Sequence, residues 1–414
     1  MNEVFQSAYK KYHSTETALL RVFNDILCDL DNRKMTLLAL LDLSAAFDTL
    51  DHEILLRRLE LSFGIKGSAL AWFESYPATR GQSVQIGKSV SDSVTLNYGV
   101  PQGSVLGPIL FTLYTTPLSQ IFTKYQMNYH LYADDSQLYT ASELPMLDTT
   151  LHQAEACIMD TKLFMDSNKL KLNNDKTELI IFKNKFQLKD HIDVNLNIDD
   201  CDIASSSSVK NLGVVFDEDL SLSAHVNTVY KSIIFQLSKI SHIRKYISVD
   251  VTKTLVTSLI LSRLDYCNSL FCNMTSENIE KLQLLQNHAA RLIYRAKKKD
   301  HVTPLLYQLH WLPIKFRIDY KIALLCFKCL NGTAPSYLKD LVQVYIPRRA
   351  LRSGMDNTKF LKPVMNYKSY GEKSFSFYGP SVWNSLPVDL RRIENVDTFK
   401  RHLKTYFFKQ AYNC

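Results

Sequence analysis

Apolar positions at Leu19, Val22, Phe23, Ile26, Leu27 and Leu30 recur three and four residues apart. That spacing predicts an amphipathic helix, capped by Ser14 and closed by Asp31-Asn32. The period then changes. Met35–Leu41 is an unbroken apolar run ending on a charge, which predicts a strand covered on both faces that delivers Asp42 to a sheet edge. Asp51–Phe63 and Ser68–Tyr76 read as short helices around the turn at 64–67, and Gln82–Lys88, alternating at Val84 and Ile86, reads as a strand. Gly99–Gly103 is rich in turn residues, and Ser104 can cap a helix running to about Phe122. In Met127–Leu138 apolar residues alternate on both sides of Asp134-Asp135, which puts the acid pair at or beside a hairpin turn. Two adjacent carboxylates repel each other unless a cation or a proton is shared between them.

Pro145–Asn173 reads as helix, and Glu178–Phe182, Ile192–Ile198 and Asn211–Val215 read as strands. From about Ser221 the helical period takes over, at 223–247, 250–262, 276–296 and 315–331, with seven prolines cutting the last third into short pieces. The pattern predicts an α+β first half and a mostly helical second half. At 414 residues and 46 % hydrophobic content the chain has room for two or three domains. No apolar run approaches the roughly 18 to 20 residues of a membrane span. The N-terminus lacks the apolar core of a secretory signal, so a nuclear or cytoplasmic protein is expected.

The net charge of +8 conceals a division. Residues 1–230 carry 19 Lys+Arg against 29 Asp+Glu, whereas residues 231–414 carry 30 against 12. An acidic half followed by one at +18 suits a protein that holds cations in one place and a polyanion, with nucleic acid the leading candidate, in another. Any single cluster, such as Lys297–Lys299, is better read as a solvated face. The eight cysteines form no disulfide framework, and Cys326 and Cys329 lie in an apolar helical pattern that makes them core residues ahead of half a zinc site.

A strand ending on an acid, a helix, and a hairpin bearing two acids supply carboxylates for divalent cations acting on a nucleoside triphosphate. The strings are more specific than the spacing. Tyr132-Ala-Asp-Asp135 matches the YADD box of reverse transcriptases, and 37–59 (LLALLDLSAAFDTLDHEILLRRL), 99–111 (GVPQGSVLGPILF), 170–182 (LKLNNDKTELIIF) and 210–220 (KNLGVVFDEDL) resemble, in order, further motifs of that family. With 262–270, 286–294, 309–321, 334–338 and 383–387, nearly the whole chain resembles the non-LTR, LINE-type retrotransposon reverse transcriptases of the jockey-like and related lineages.

The resemblance implies a right-handed polymerase: an α+β palm, an antiparallel sheet with helices, followed by a mostly helical thumb and C-terminal region. It divides the chain into 1–35, a remnant of fingers and pre-palm helix; 36–220, palm with partial fingers; 221–300, thumb; and 301–414, a basic C-terminal region. It makes Asp42, Asp134 and Asp135 the carboxylates that hold two Mg²⁺ ions, with Mn²⁺ as an alternative. Phe47 becomes the bulky residue that excludes a 2′-hydroxyl; by its pattern alone it is a core Phe. Pro101, Gln102 and Gly103 would meet the templating base and incoming nucleotide, with Tyr132 beside them. Lys176 would neutralise or protonate pyrophosphate, and reads equally well as an exposed loop lysine. Arg291, Arg295, Lys297, Lys298, Lys299, Lys315 and Arg317 are candidates for nucleic-acid contacts, whereas Tyr307, Trp311 and Trp383 read as core ahead of base-stacking. The implied activity is RNA-directed DNA polymerisation, extending a DNA primer on an RNA template with deoxynucleoside triphosphates and without a membrane. The resemblance starts only about forty residues before Asp42, so N-terminal truncation is expected, and an endonuclease would come from another chain or a missing segment. The alternative is a truncated or co-opted remnant that binds nucleic acid without copying it.

Overall fold

The computed structural model of the chain describes residues 3–44, 47–76, 80–101, 103–184, 187, 194–198, 201–346 and 358–413. Two compact units emerge, one from residues 1–11, 36–181 and 190–206, the other from 12–35, 182–189 and 207–414.

The first unit is α+β. Its sheet has four strands in the order Glu178–Phe182, Met35–Leu41, Asp135–Ser142, Asn128–Tyr132. Met35–Leu41 occupies an interior position and is buried at every residue except half-buried Leu40, as an uninterrupted apolar run requires. The last two strands form an antiparallel hairpin in which Tyr132 faces Asp135 and Asn128 faces Tyr139. The Leu147–Ser167 helix buries Ala154, Cys157, Ile158 and Met165 and touches the second strand of this hairpin. Arg58 ties helices together: its guanidinium donates to the Tyr114 carbonyl and to Asn168 Oδ1, while the Tyr114 hydroxyl donates to the Asn168 carbonyl over 2.6 Å.

Three predicted elements differ. The helix expected from Ser104 to Phe122 is two, Gly107–Thr115 and Leu118–Lys124, because Pro117 has no N–H to continue the ladder. Ser104 still acts as predicted, its Oγ accepting from the Gly107 N–H at 3.0 Å. The single strand expected at Gln82–Lys88 is replaced by two-residue pairings, Gly81–Gln82 with Val94–Thr95 and Gln85–Ile86 with Ser89–Val90, all exposed. Gly87, at φ +61°, turns the chain back before a longer strand can form. Of the strand expected at Ile192–Ile198, Asn195–Ile198 is observed and residues 191–193 lie outside the described set.

The second unit is mostly helical. In Thr15–Asp31 all six apolar positions picked out by their spacing are buried, and Ser14 and Thr17 form a reciprocal capping box. Asn211–Val215 is not one strand: Leu212 and Gly213, at φ +42° and +85°, make the turn of a hairpin between Ser208–Asn211 and Val214–Asp217. The helix expected at 250–262 is Val249–Val256, a π-helical stretch Thr257–Leu261 and Ser262–Asp265. Cys326 and Cys329 are buried in the Ile314–Leu330 helix, and burial pushes the Cys329 thiol up to about 12, as suits core cysteines. Trp383 is fully buried and packs near Phe399, which stacks on Phe327 at 4.3 Å. Among the described residues no helix is long and apolar enough to cross a membrane.

Candidate active site

The hairpin turn is built from its ends. Tyr132 and Asp135 close a two-residue loop, which demands a left-handed conformation, and Ala133 takes it at φ +58°. An N-terminal segment holds that turn in place. Ser7 N–H donates to the Leu131 carbonyl and Leu131 N–H to the Phe5 carbonyl, at 2.9 and 2.8 Å, so residues 5–7 lie along the hairpin's outer strand. Gln6, buried, turns its Oε1 toward the backbone and accepts from both Ala8 N–H at 2.9 Å and Ala133 N–H at 3.2 Å. Nothing in the sequence pattern singled out Gln6.

Asp42 follows the interior strand. Its carbonyl accepts from Asn173 N–H at 2.9 Å, and Leu43–Ser44 pairs with Lys171–Leu172, so the segment carrying Lys176 is fastened to the backbone of Asp42 itself. Lys176 Nζ stands 3.1 Å from Asp42 Oδ2, an ion pair between side chains 67 % and 25 % exposed. The approach lacks hydrogen-bond geometry. Asp42 Oδ2, shut away from solvent, therefore has a charge beside it but no donor.

The three acids share one electrostatic field. Burial raises the Asp134 carboxyl and the Asp42 charge raises it further, against its own backbone N–H and Lys176. Asp135 is pushed up to about 6, by desolvation of its carboxyl and then by Asp134 and Asp42. Asp135 stands exposed as a residue at the head of its strand, so the like-charge contribution is the firmer of the two causes. Tyr9, which the sequence also did not mark, belongs to the same neighbourhood: burial, then Asp134 and Tyr132, raise its phenol.

Phe47 is half-buried and its ring lies 4.9 Å from that of Phe111. The 99–101 loop runs back along residues 47–50, with Val100 N–H donating to the Phe47 carbonyl at 2.9 Å and Gly99 N–H to the Leu50 carbonyl at 2.7 Å. Gly99 must be glycine here: at φ +79°, a Cβ would stand 2.8 Å from the Asp48 carbonyl oxygen and 2.9 Å from that of Phe47. Arg80 Nη2 donates to the Gly99 carbonyl at 2.6 Å, and His52 Nε2 lies 2.8 Å from the same oxygen. Pro101 is half-buried, Gly103 is exposed at φ +83°, and Gln102 lies outside the described residues.

Residues 2–216 match the reverse transcriptase (RNA-dependent DNA polymerase) family, just over half of the chain. The chain belongs to that family. Among known reverse transcriptases it is 23 % identical over 299 residues to the RNA-directed DNA polymerase of the mobile element jockey from Drosophila melanogaster, covering 70 % of this chain and 32 % of the relative. It is 25 % identical over 299 residues to the probable RNA-directed DNA polymerase of the transposon X-element from the same organism, covering 70 % and 31 %. The chain thus spans about a third of the length of the curated relatives it matches. A solved structure of apo telomerase from Candida tropicalis aligns over 80 % of this chain and 55 % of its own, at 12 % identity and a TM-score of 0.39.

Reverse transcriptases use divalent metal ions, and the donor set here suits an oxygen-preferring cation. The observation is the buried, donorless Asp42 Oδ2 within the field of two further carboxylates. Among the described residues no three His, Cys, Asp or Glu side chains are gathered closely enough to enclose an ion by themselves.

The basic candidates fare unequally in this reverse transcriptase. Arg317 is taken up by a bidentate ion pair with Asp265, its Nε at 2.8 Å from Oδ1. Lys297, Lys298, Lys299 and Lys315 are exposed, Arg295 is exposed, and Arg291 is half-buried. Trp383 is core, and Tyr307, though 46 % exposed, packs its ring against Phe408 and Tyr412.

Proposed function

We propose that this chain is the polymerase part of a LINE-type reverse transcriptase, extending a DNA 3′-end on an RNA template by in-line phosphoryl transfer from deoxynucleoside triphosphates. The observation that carries the reading is the convergence of Asp42 and the Asp134-Asp135 turn in one field, with a buried Asp42 oxygen that no donor satisfies. Divalent cations, two Mg²⁺ in this reading with Mn²⁺ as an alternative, supply the charge that neutralises the triphosphate and lowers the pKa of the attacking 3′-hydroxyl.

The chain's own groups set the rest. Asp42, Asp134 and Asp135 would hold the cations, with Asp42 and Asp134 as the bridging pair. Lys176, placed at the acids by its backbone tether, offers an ammonium to the leaving pyrophosphate. Phe47, braced by Phe111 and by the glycine-pinned loop, lies beneath the sugar and rejects a 2′-hydroxyl by its bulk. Pro101, Gln102 and Gly103 would contact the templating base and the nucleotide, Gly103 allowing backbone to approach, and Tyr132 would contribute to substrate binding. Residues 221–300 would be the thumb and 301–414 the basic C-terminal region, their Lys and Arg holding the template–primer duplex by its backbone.

Primer extension on poly(rA)/oligo(dT) with Mg²⁺, beside Asp134→Asn, tests this directly. Extension by the parent that drops to background in the variant, with duplex binding retained, is the expected outcome. Equal extension by both would remove the acids from the mechanism, and binding without extension by the parent would mark a remnant that only holds nucleic acid.

A further inference from the structure

The peptide plane between Gly99 and Val100 is held at both ends. Its N–H, on Val100, donates to the Phe47 carbonyl at 2.9 Å, and its oxygen, on Gly99, meets two side-chain nitrogens, Arg80 Nη2 at 2.6 Å and His52 Nε2 at 2.8 Å. A carbonyl oxygen has two lone pairs and can only accept, so His52 Nε2 must carry a proton, which the neutral Nε2–H tautomer and the imidazolium both supply. The Arg80 bond is charge-assisted, the stronger kind. Nothing in the sequence pattern singled out either residue.

Glycine is what makes this grip necessary. Gly99 stands at φ +79°, and a Cβ there would run into the Phe47 and Asp48 carbonyl oxygens, so the close approach of the loop to residues 47–48 excludes a side chain. The same bare backbone leaves the adjoining peptide freer to rotate than any other residue would. Because the amide is planar, a rotation that takes the Gly99 oxygen off its donors also swings the Val100 N–H off the Phe47 carbonyl. The donors on the oxygen therefore decide whether the loop stays tied to Phe47.

The two donors come from separate elements. His52 opens the His52–Phe63 helix, whose start is set by Asp51: its Oδ1 accepts from the Ile54 N–H at 3.0 Å, and its backbone bridges Tyr98, next to Gly99. Arg80 stands at the base of the exposed 81–95 pairings, where its carbonyl accepts from the Leu96 N–H at 2.8 Å. Both residues are half-buried. A helix start and a hairpin base thus converge on one oxygen.

We propose that His52 and Arg80 are positioning residues for nucleotide selection: by clamping the Gly99 carbonyl they hold the 99–101 loop against Phe47 and keep that ring where it separates deoxyribose from ribose. The consequence for sugar choice rests on the reading of the chain as a reverse transcriptase with Phe47 beneath the sugar; the clamp rests only on the geometry.

The test separates donor from bulk. His52→Phe keeps a ring without the N–H and Arg80→Met keeps length without the charge, whereas His52→Gln and Arg80→Lys each keep a donor. Lys88→Gln, exposed at the turn between Gln85–Ile86 and Ser89–Val90, controls for lost charge. Each variant of the full chain is read by extension of oligo(dT) on poly(rA) with dTTP against UTP, and by hydrogen exchange at the Val100 N–H. His52→Phe and Arg80→Met are each expected to lower the dTTP/UTP ratio of kcat/KM about tenfold and to speed Val100 exchange, with His52→Gln, Arg80→Lys and the control close to the parent. Ratios equal to the parent in the Phe and Met variants would overturn the proposal and leave the polymerase standing. So would a loss confined to His52→Gln and Arg80→Lys, which would make both side chains packing groups. A parent that does not extend removes the polymerase reading, and exchange then decides the clamp: faster exchange in the Phe and Met variants alone sustains it, and unchanged exchange overturns it.

Discussion

Asp135 illustrates how little of a side chain's chemistry is its own. A lone aspartate at the head of a strand would ionise in the ordinary carboxylate range, yet desolvation and then the charges of Asp134 and Asp42 carry it up to about 6. Removing one of those charges with Asp42→Asn is therefore expected to bring the Asp135 pKa down, read by ¹³C-carboxyl NMR titration. Saturating Mg²⁺ without nucleotide is expected to act in the same direction. The linkage has a definite sign. The folded chain keeps this proton to about 6, whereas an unperturbed aspartate releases it at 3.8, so across that window the native state binds more protons. The contribution of Asp135 to stability is then present at low pH and is lost as pH rises from about 4 to 6, a trend that denaturant titrations at several pH values check and that Asp42→Asn is expected to flatten. The three acids stood out in the sequence because two motifs in family order carry them. Gln6 was not, since a glutamine in a polar N-terminal stretch has no pattern to mark it.

At the scale of elements, turns decide what the strands can present. The acid-bearing hairpin depends on a left-handed Ala133 whose N–H Gln6 holds from outside the hairpin. Gln6→Ala leaves the Ala133 and Ala8 donors unpaired in a buried place, at a cost of about 1 to 3 kcal/mol. Faster hydrogen exchange at Ala133 and a lower denaturation midpoint are the expected readouts. Gly99 is the second such point. Gly99→Ala imposes a Cβ within 3 Å of two carbonyl oxygens in a left-handed conformation, so a loss of about 2 kcal/mol or more is expected in urea unfolding. Because the same loop packs on the backbone of Phe47, the variant is also expected to loosen discrimination against ribonucleotides in extension assays. Long periodic helices were read correctly from spacing, Thr15–Asp31 most completely. Three of the misread elements share one cause: Pro117, Gly87 and Leu212-Gly213 redirect the chain locally, and a local break outweighs a continuing apolar pattern.

At the scale of the whole molecule, each unit draws residues from distant parts of the chain. In the helical unit, Asp31 at the end of the first helix is buried and accepts from the N–H groups of Asn366, Tyr367 and Gly371 at 2.7, 2.7 and 3.1 Å. One carboxylate thus anchors a segment more than 330 residues later. Asp31→Ala leaves three N–H donors without their acceptor, that of Gly371 buried, and is expected to destabilise this unit by about 1 to 3 kcal/mol, measured by denaturant unfolding followed at the buried Trp383. The same long reach brings Arg244 and Lys245 beside Arg291, Arg295 and Lys298, and fastens the segment carrying Lys176 to the backbone of Asp42.

The sequence by itself determined the family, the three acids, the α+β-then-helical order and the division of charge, because each is written in local strings, periods and sums. Only the tertiary structure decided which cations remain available, Arg317 being consumed by Asp265 while Arg291, Arg295 and Lys298 share a cleft with Arg244. It alone showed that Gln6 and Gly99 hold the candidate site in shape. The physical reason is that hydrogen-bond geometry and charge proximity are properties of atoms brought together in space, and a one-dimensional pattern carries no record of which distant residues will meet.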